Sequence, residues 1–175
     1  GSSSLLISLI KAFDRMMGVS RPKAEMVILA SNIEARILGK PTGTQDYYPA
    51  IDGGLHILHY GASGVREEVL PGALGTFRDN SFLVYTGRPH HSGLNNWEVL
   101  KKAIEGDSET LRVLNDLSHV AADMATACRQ GQWGHMGELF RREYDLRVEL
   151  AHEFSSPEIE TLGALVLQHG GDAVK

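Results

Sequence analysis

Cysteine is almost absent from this sequence, with Cys128 the one thiol in 175 residues. An internal disulfide is therefore excluded, and the usage fits a reducing cytoplasm. Cys128 falls late in a helix-patterned stretch, away from the helix start or basic neighbour that a reactive thiolate wants, so it reads as a buried structural thiol. No apolar run approaches the roughly 20 residues that span a bilayer, and no charged stretch precedes an apolar one as in a secretory leader. A membrane partner is not expected. Positive charge is scarce too: 17 Lys and Arg stand against 22 Asp and Glu, a net charge of −5. No basic run offsets it, and nucleic-acid binding needs a basic face for phosphates, so nucleic acid is not expected as a partner. What remains is a mixture of 42% hydrophobic and 22% charged residues. That is the composition of an ordinary globular chain, long enough for one good core or two small ones.

Backbone constraint is concentrated in residues 39–46, Gly-Lys-Pro-Thr-Gly-Thr-Gln-Asp. Gly39 follows the last apolar positions of a helix and suits a left-handed cap. Pro41 forbids the helix from resuming, and Gly43 permits a turn that a side chain would block. Asp46 emerges at the far end as an acceptor with a fixed address, which a general base needs. Asp is also a preferred N-cap, so the residues alone leave open that Asp46 caps a short turn through Tyr47 and Tyr48.

Upstream, Gly1, Ser2, Ser3 and Ser4 run into a helix from Leu5 to Met17 that is apolar on most of its circumference and is expected to be buried. Such a start favours phosphate through its amides and helix dipole; a cloning scar is the competing reading. Ser20 and Pro22 open a second helix, and Glu34 lies in its last two turns, where a carboxylate opposes the dipole. Downstream of Gly53 and Gly54, residues 55–60 and 65–70 read as a hairpin, with His56 and His59 on opposite faces and so not a metal pair. Residues 71–80 read as a linker and residues 81–86 as a compact strand. A polar loop follows over residues 88–96, with Arg88, His90 and His91; it suits a polyhydroxylated or anionic ligand as well as it suits a solvated connector. Four helices complete the chain: residues 97–104; a long one capped by Ser108 with Leu111, Leu114, Leu117, Ala121, Met124 and Cys128 on its core face; one carrying Met136, Leu139, Phe140, Tyr144 and Leu150; and one carrying Ile159, Leu162, Leu165 and Val166, stopped by Gly170 and Gly171.

In order along the chain, these segments resemble the GHMP kinases, the small-molecule kinase family of galactokinase, homoserine kinase, mevalonate kinase and phosphomevalonate kinase. The Gly-Ser-Ser-Ser start looks like the tail of that family's nucleotide loop, and the segment through Asp46 to Gly53 and Gly54 looks like its catalytic-aspartate segment. The strand with its Thr-Gly end and the run Gly137, Phe140, Ser156, Pro157, Glu158, Ile159 and Gly170 are similar to the bacterial sugar kinases that act on heptose phosphates and related sugars.

The resemblance implies a two-domain α+β fold. Residues 1–78 would be the second half of an N-terminal α/β domain, and residues 79–175 part of a helix-rich C-terminal α+β domain. The family's opening strands and closing glycine-rich motif are missing, so the chain is expected to be an internal segment, inactive alone, with sheet edges left open. Position by position, the resemblance implies that Gly1, Ser2, Ser3 and Ser4 wrap the ATP phosphates and that Ser3 and Glu34 hold Mg²⁺. It makes Asp46 the group that orients or deprotonates the acceptor hydroxyl, and turns Asp46 from cap to catalytic residue and residues 1–4 from scar to phosphate loop. Gly43, Thr44, Tyr48, Thr86 and Arg88 are the implied substrate contacts. Phosphoryl transfer asks mainly for positioning and charge neutralisation, which these residue types supply. The implied activity is ATP-dependent phosphorylation of a hydroxyl on a sugar or sugar phosphate in the cytoplasm, by a chain for which a homodimer is allowed. The alternatives are a non-catalytic fragment or paralogue that binds a small molecule or partner, and a kinase for a non-sugar alcohol such as mevalonate; the polar loop with Arg88 favours the sugar.

Overall fold

The computed structural model describes residues 1–85 and 92–174. The chain divides into two compact units, Gly1–Gly75 and Thr76–Lys175. Among the described residues the elements are mostly helices with one small antiparallel sheet, an α+β composition.

The first unit holds three helices and a hairpin: α1 (Ser2–Met17), α2 (Lys23–Leu38), α3 (Tyr47–Asp52), β1 (Leu55–Gly61) and β2 (Gly64–Leu70). Gly39 ends α2 in the left-handed region at φ 66°, as its place after Leu38 leads one to expect. Gly53 and Gly54, at φ 69° and 93°, then swing the chain from α3 into β1, a path that side-chain-bearing residues rarely take. Ile7 and Ile10 of α1, Met26, Val27 and Ala30 of α2, and Tyr47 and Tyr48 of α3 form the core, with Leu58 and Val65 of the hairpin against it. The strand register pairs Leu58 with Glu67 and Tyr60 with Val65, so His56 shares the core-side face and His59 takes the other. The pair is thus divided between faces, as the strand period requires.

Two expectations for this unit are corrected. α1 is only partly buried: Leu5, Leu9, Phe13 and Met17 are exposed and Met16 is 80% exposed, because burial is confined to one stripe, Ile7, Ile10 and Asp14. Ser20 does not cap α2, which begins after Pro22 without a side-chain cap. The connection is held instead by Arg21, whose Nε and Nη2 donate to the two oxygens of buried Asp14 at 3.0 and 2.8 Å.

Residues 71–80 are not a bare linker, since α4 forms over Ala73–Asp79. Asn80 Nδ2 donates to the Thr76 carbonyl at 2.8 Å and Ser81 Oγ to that of Phe77 at 2.7 Å, satisfying carbonyls that a helix end otherwise leaves bare. Residues 81–85, expected as a strand, have no regular structure, and Leu83 is 99% exposed. Among the described residues no other strand lies beside them, and a β ladder cannot form on one strand.

The second unit continues with α5 (Ser92–Ile104), α6 (Ser108–Gln130), α7 (Met136–Leu150) and α8 (Pro157–Gln168). α5 starts five residues before the expected 97. The cap of α6 is Asp107, not Ser108: its Oδ2 accepts from Thr110 N at 2.8 Å. The core stripe of α6 runs through Val113, Val120 and Ala127, while Leu111 and Ala121 face outward. Leu114, Leu117, Met124 and Cys128 flank that stripe, half-buried. α6 packs against α7, where Met136 is buried and its sulfur lies 4.0 Å from Cys128 Sγ. α8 is capped by Ser156 with Pro157 in its first turn, but Leu165 is exposed rather than core.

Candidate phosphate and catalytic site

Three pieces of the first unit build the candidate site: the first turn of α1, the second half of α2, and the junction of the 39–46 loop with α3. Ser2, Ser3 and Ser4 form the opening turn of α1 behind Gly1, with no side-chain cap and no acid in the turn. The amides of such a turn have no intrahelical acceptor, and they lie at the positive end of a 16-residue helix. Ser3 is half-buried; Gly1, Ser2 and Ser4 are exposed.

Glu34 reaches from α2 toward this turn. Its Oε1 accepts from the Ser2 hydroxyl at 3.4 Å, longer than the usual O–H···O distance of about 2.7 Å. The contact therefore brings hydroxyl and carboxylate to one place without locking them together. Ser2, and not Ser3, is the serine that meets Glu34. The second carboxylate oxygen, Oε2, accepts from the Tyr47 hydroxyl.

Asp46 stands at the N-cap position of α3 with helical angles, φ −73° and ψ −20°, and its side chain makes no capping bond. It is exposed, one residue before Tyr47, and its charge acts on the Tyr47 hydroxyl. Burial first, then the bond to Glu34, push that phenol up to about 12, against an opposing hydrogen bond from Thr42. Tyr47 thus stays a neutral donor.

Of the implied substrate residues, Gly43 is exposed, and a side chain there would meet the flexible end of Gln45 rather than backbone. Thr44 Oγ1 is 3.0 Å from the Tyr60 hydroxyl, which ties the loop to the hairpin. Tyr48 is a core residue at 9% exposure. Thr86 and Arg88 lie outside the described residues.

Behind the site, a charged joint fixes the far end of α3. Lys23 pairs with Asp52 and Glu67, and His56 places Nδ1 2.6 Å from Glu67 Oε1 and Nε2 2.5 Å from the Gly53 carbonyl. Burial raises the Glu67 carboxyl, but the Lys23 and His56 hydrogen bonds together outweigh it and hold the group below the ordinary carboxylate range. Lys11 Nζ donates to the Ile51 carbonyl at 2.5 Å, linking α1 to the same helix end. Tyr47 and Thr42 were not distinguished by their spacing in the sequence. The signal was there in principle, because a tyrosine buried in the first turn of a helix needs a partner for its hydroxyl.

Oxygen donors are what a hard cation takes, and a Mg²⁺ bound with a nucleotide needs only one or two carboxylates beside the phosphates and its waters. The Ser2 and Ser3 hydroxyls and the Glu34 carboxylate suit that role. Among the described residues no group of three or more His, Cys, Asp or Glu side chains is placed to hold a metal without such help. An uncapped helix start of this kind favours an anion, and here a carboxylate stands against it with an aspartate on the next loop.

Residues 1–54, which hold every one of these groups, match the family described as GHMP kinases N terminal domain. That stretch is similar to the N-terminal domain of the GHMP kinases, and the chain as a whole is similar to a sugar-phosphate kinase. Across 175 residues it is 24% identical to the D-glycero-alpha-D-manno-heptose 7-phosphate kinase of Campylobacter jejuni subsp. jejuni serotype O:2, an alignment covering 97% of this chain and 51% of that protein. The chain spans about half the length of that curated relative. No solved structure matches it.

Proposed function

We propose that the protein carrying this chain is an ATP- and Mg²⁺-dependent kinase that phosphorylates a hydroxyl of a sugar or sugar phosphate, with a heptose phosphate the first candidate. The observation that carries the reading is the approach of Ser2 to Glu34 at the uncapped start of α1, with the free Asp46 carboxylate presented one loop away. Residues 1–78 would then belong to an N-terminal kinase domain and residues 79–175 to a C-terminal one.

In this reading the first-turn amides of α1 bind and orient the triphosphate, and the hydroxyl of Ser2 or Ser3 with Glu34 holds the cation. When bound, ATP would supply the phosphoryl group and Mg²⁺ would neutralise its charge. Asp46 accepts the proton of, or orients, the attacking sugar hydroxyl. Thr44 stands on the same loop beside Tyr60 and would contact the sugar.

The test is a coupled assay of the full protein with ATP and Mg²⁺ against a panel of hexoses, heptoses, their phosphates and mevalonate. Turnover confined to sugars or sugar phosphates is expected. Turnover of mevalonate alone, or of nothing on the panel, would remove this reading.

A further inference from the structure

One phenol stands between the two acids of the candidate site. Tyr47 has no solvent exposure at all. Its hydroxyl donates to Glu34 Oε2, and Thr42, which acts on the same phenol, has its Oγ1 3.5 Å from Ser31 Oγ on α2. Glu34 is otherwise a half-buried carboxylate on a flexible stem. With one oxygen tied to a ring that the core immobilises, the carboxylate plane is set, and Oε1 is left facing the start of α1, where Ser2 meets it.

We propose that Tyr47 is a positioning residue: it holds Glu34 by Oε2 so that Oε1 is presented to the divalent cation that accompanies the nucleotide. Thr42 assists by fixing the direction in which the phenol donates. This deepens, and rests on, the kinase reading above. Partners of this kind, one bond removed from a metal, set the orientation of the ligand they touch, and their loss typically lowers metal affinity or activity about 10- to 100-fold.

The experiment is calorimetric titration of the full protein with a non-hydrolysable ATP analogue, with and without Mg²⁺. Tyr47→Phe keeps the ring and its packing and removes only the hydroxyl. The affinity gained on adding Mg²⁺ is expected to fall about 10-fold or more, while affinity without metal and the KM for the sugar stay as in wild type. Thr42→Val, which spares the ring entirely, should shift the Mg²⁺ dependence the same way by less, and it carries the test if Tyr47→Phe does not fold. Wild-type Mg²⁺ dependence in the folded variants would make Tyr47 a core residue and nothing more, overturning the proposal. If the wild-type protein itself shows no Mg²⁺-dependent gain, the kinase reading fails, and the role of Tyr47 fails with it.

Discussion

Asp46 occupies the position from which an aspartate usually closes a helix start, yet its carboxylate makes no capping bond and lies open to solvent. A group in that state is available to a ligand, and its neighbour Tyr47 is too deeply buried to let the loop wander. Under the proposed function, Asp46→Asn in the full protein should lower kcat by about two to four orders of magnitude, the usual weight of a positioned acid or base. The KM for ATP should change little, because the amides of α1 are untouched. Steady-state kinetics on the best substrate of the panel checks this, and near wild-type turnover would remove Asp46 from the chemistry. At this scale the sequence was partly legible. The Gly-Lys-Pro-Thr-Gly-Thr-Gln-Asp run pointed to a constrained carboxylate, but which serine meets Glu34 depends on where α1 starts, a one-residue question that spacing does not answer.

Among the elements, the joint between α2, α3 and the hairpin responds to pH. Lys23, His56 and Glu67 come from three different elements, and the Glu67 carboxyl is held below its ordinary value of 4.5. A carboxyl depressed in the folded chain adds stability above its unfolded value and loses it as pH falls through the folded one. Glu67→Gln should therefore be less stable than wild type at pH 7, by about 1–3 kcal/mol for hydrogen bonds to a charged group. The gap should close as pH falls below about 4.5. Urea unfolding of both proteins between pH 7 and pH 3 measures it; a gap that widened in acid would contradict the assignment. Helices and hairpin were legible because glycine stops and apolar periods are local. α4 and residues 81–85 were misread for the opposite reason. The Asn80 and Ser81 side chains rescue a helix that composition alone disfavours, and a strand-like run such as Phe82, Leu83 and Val84 becomes a strand only when another strand lies beside it.

For the molecule as a whole, the match to the GHMP kinase N-terminal domain falls inside the first unit, whereas the alignment to the heptose 7-phosphate kinase runs through both. Between α4 and α5 the described chain offers exposed Phe82, Leu83 and Tyr85 with no regular structure. Brief chymotrypsin treatment should cut there first and release fragments that each keep most of one unit, since proteases select exposed, unpaired backbone. Mass spectrometry of the early products checks the order, and initial cleavage within α6 or α7 would count against it. The outward-facing residues of α1, α6 and α8 were not readable in the sequence, because helical periodicity marks an apolar side without saying whether anything covers it.

The lone sulfhydryl has a practical consequence. Cys128 sits half-buried beside Met136, and burial lifts its thiol above the ordinary range, so it will be slow toward maleimides at neutral pH. A second cysteine introduced at Ser63, on the exposed hairpin tip, will take up a fluorophore well ahead of it. The protein can thus be given a single optical reporter on its hairpin without first deleting its native thiol.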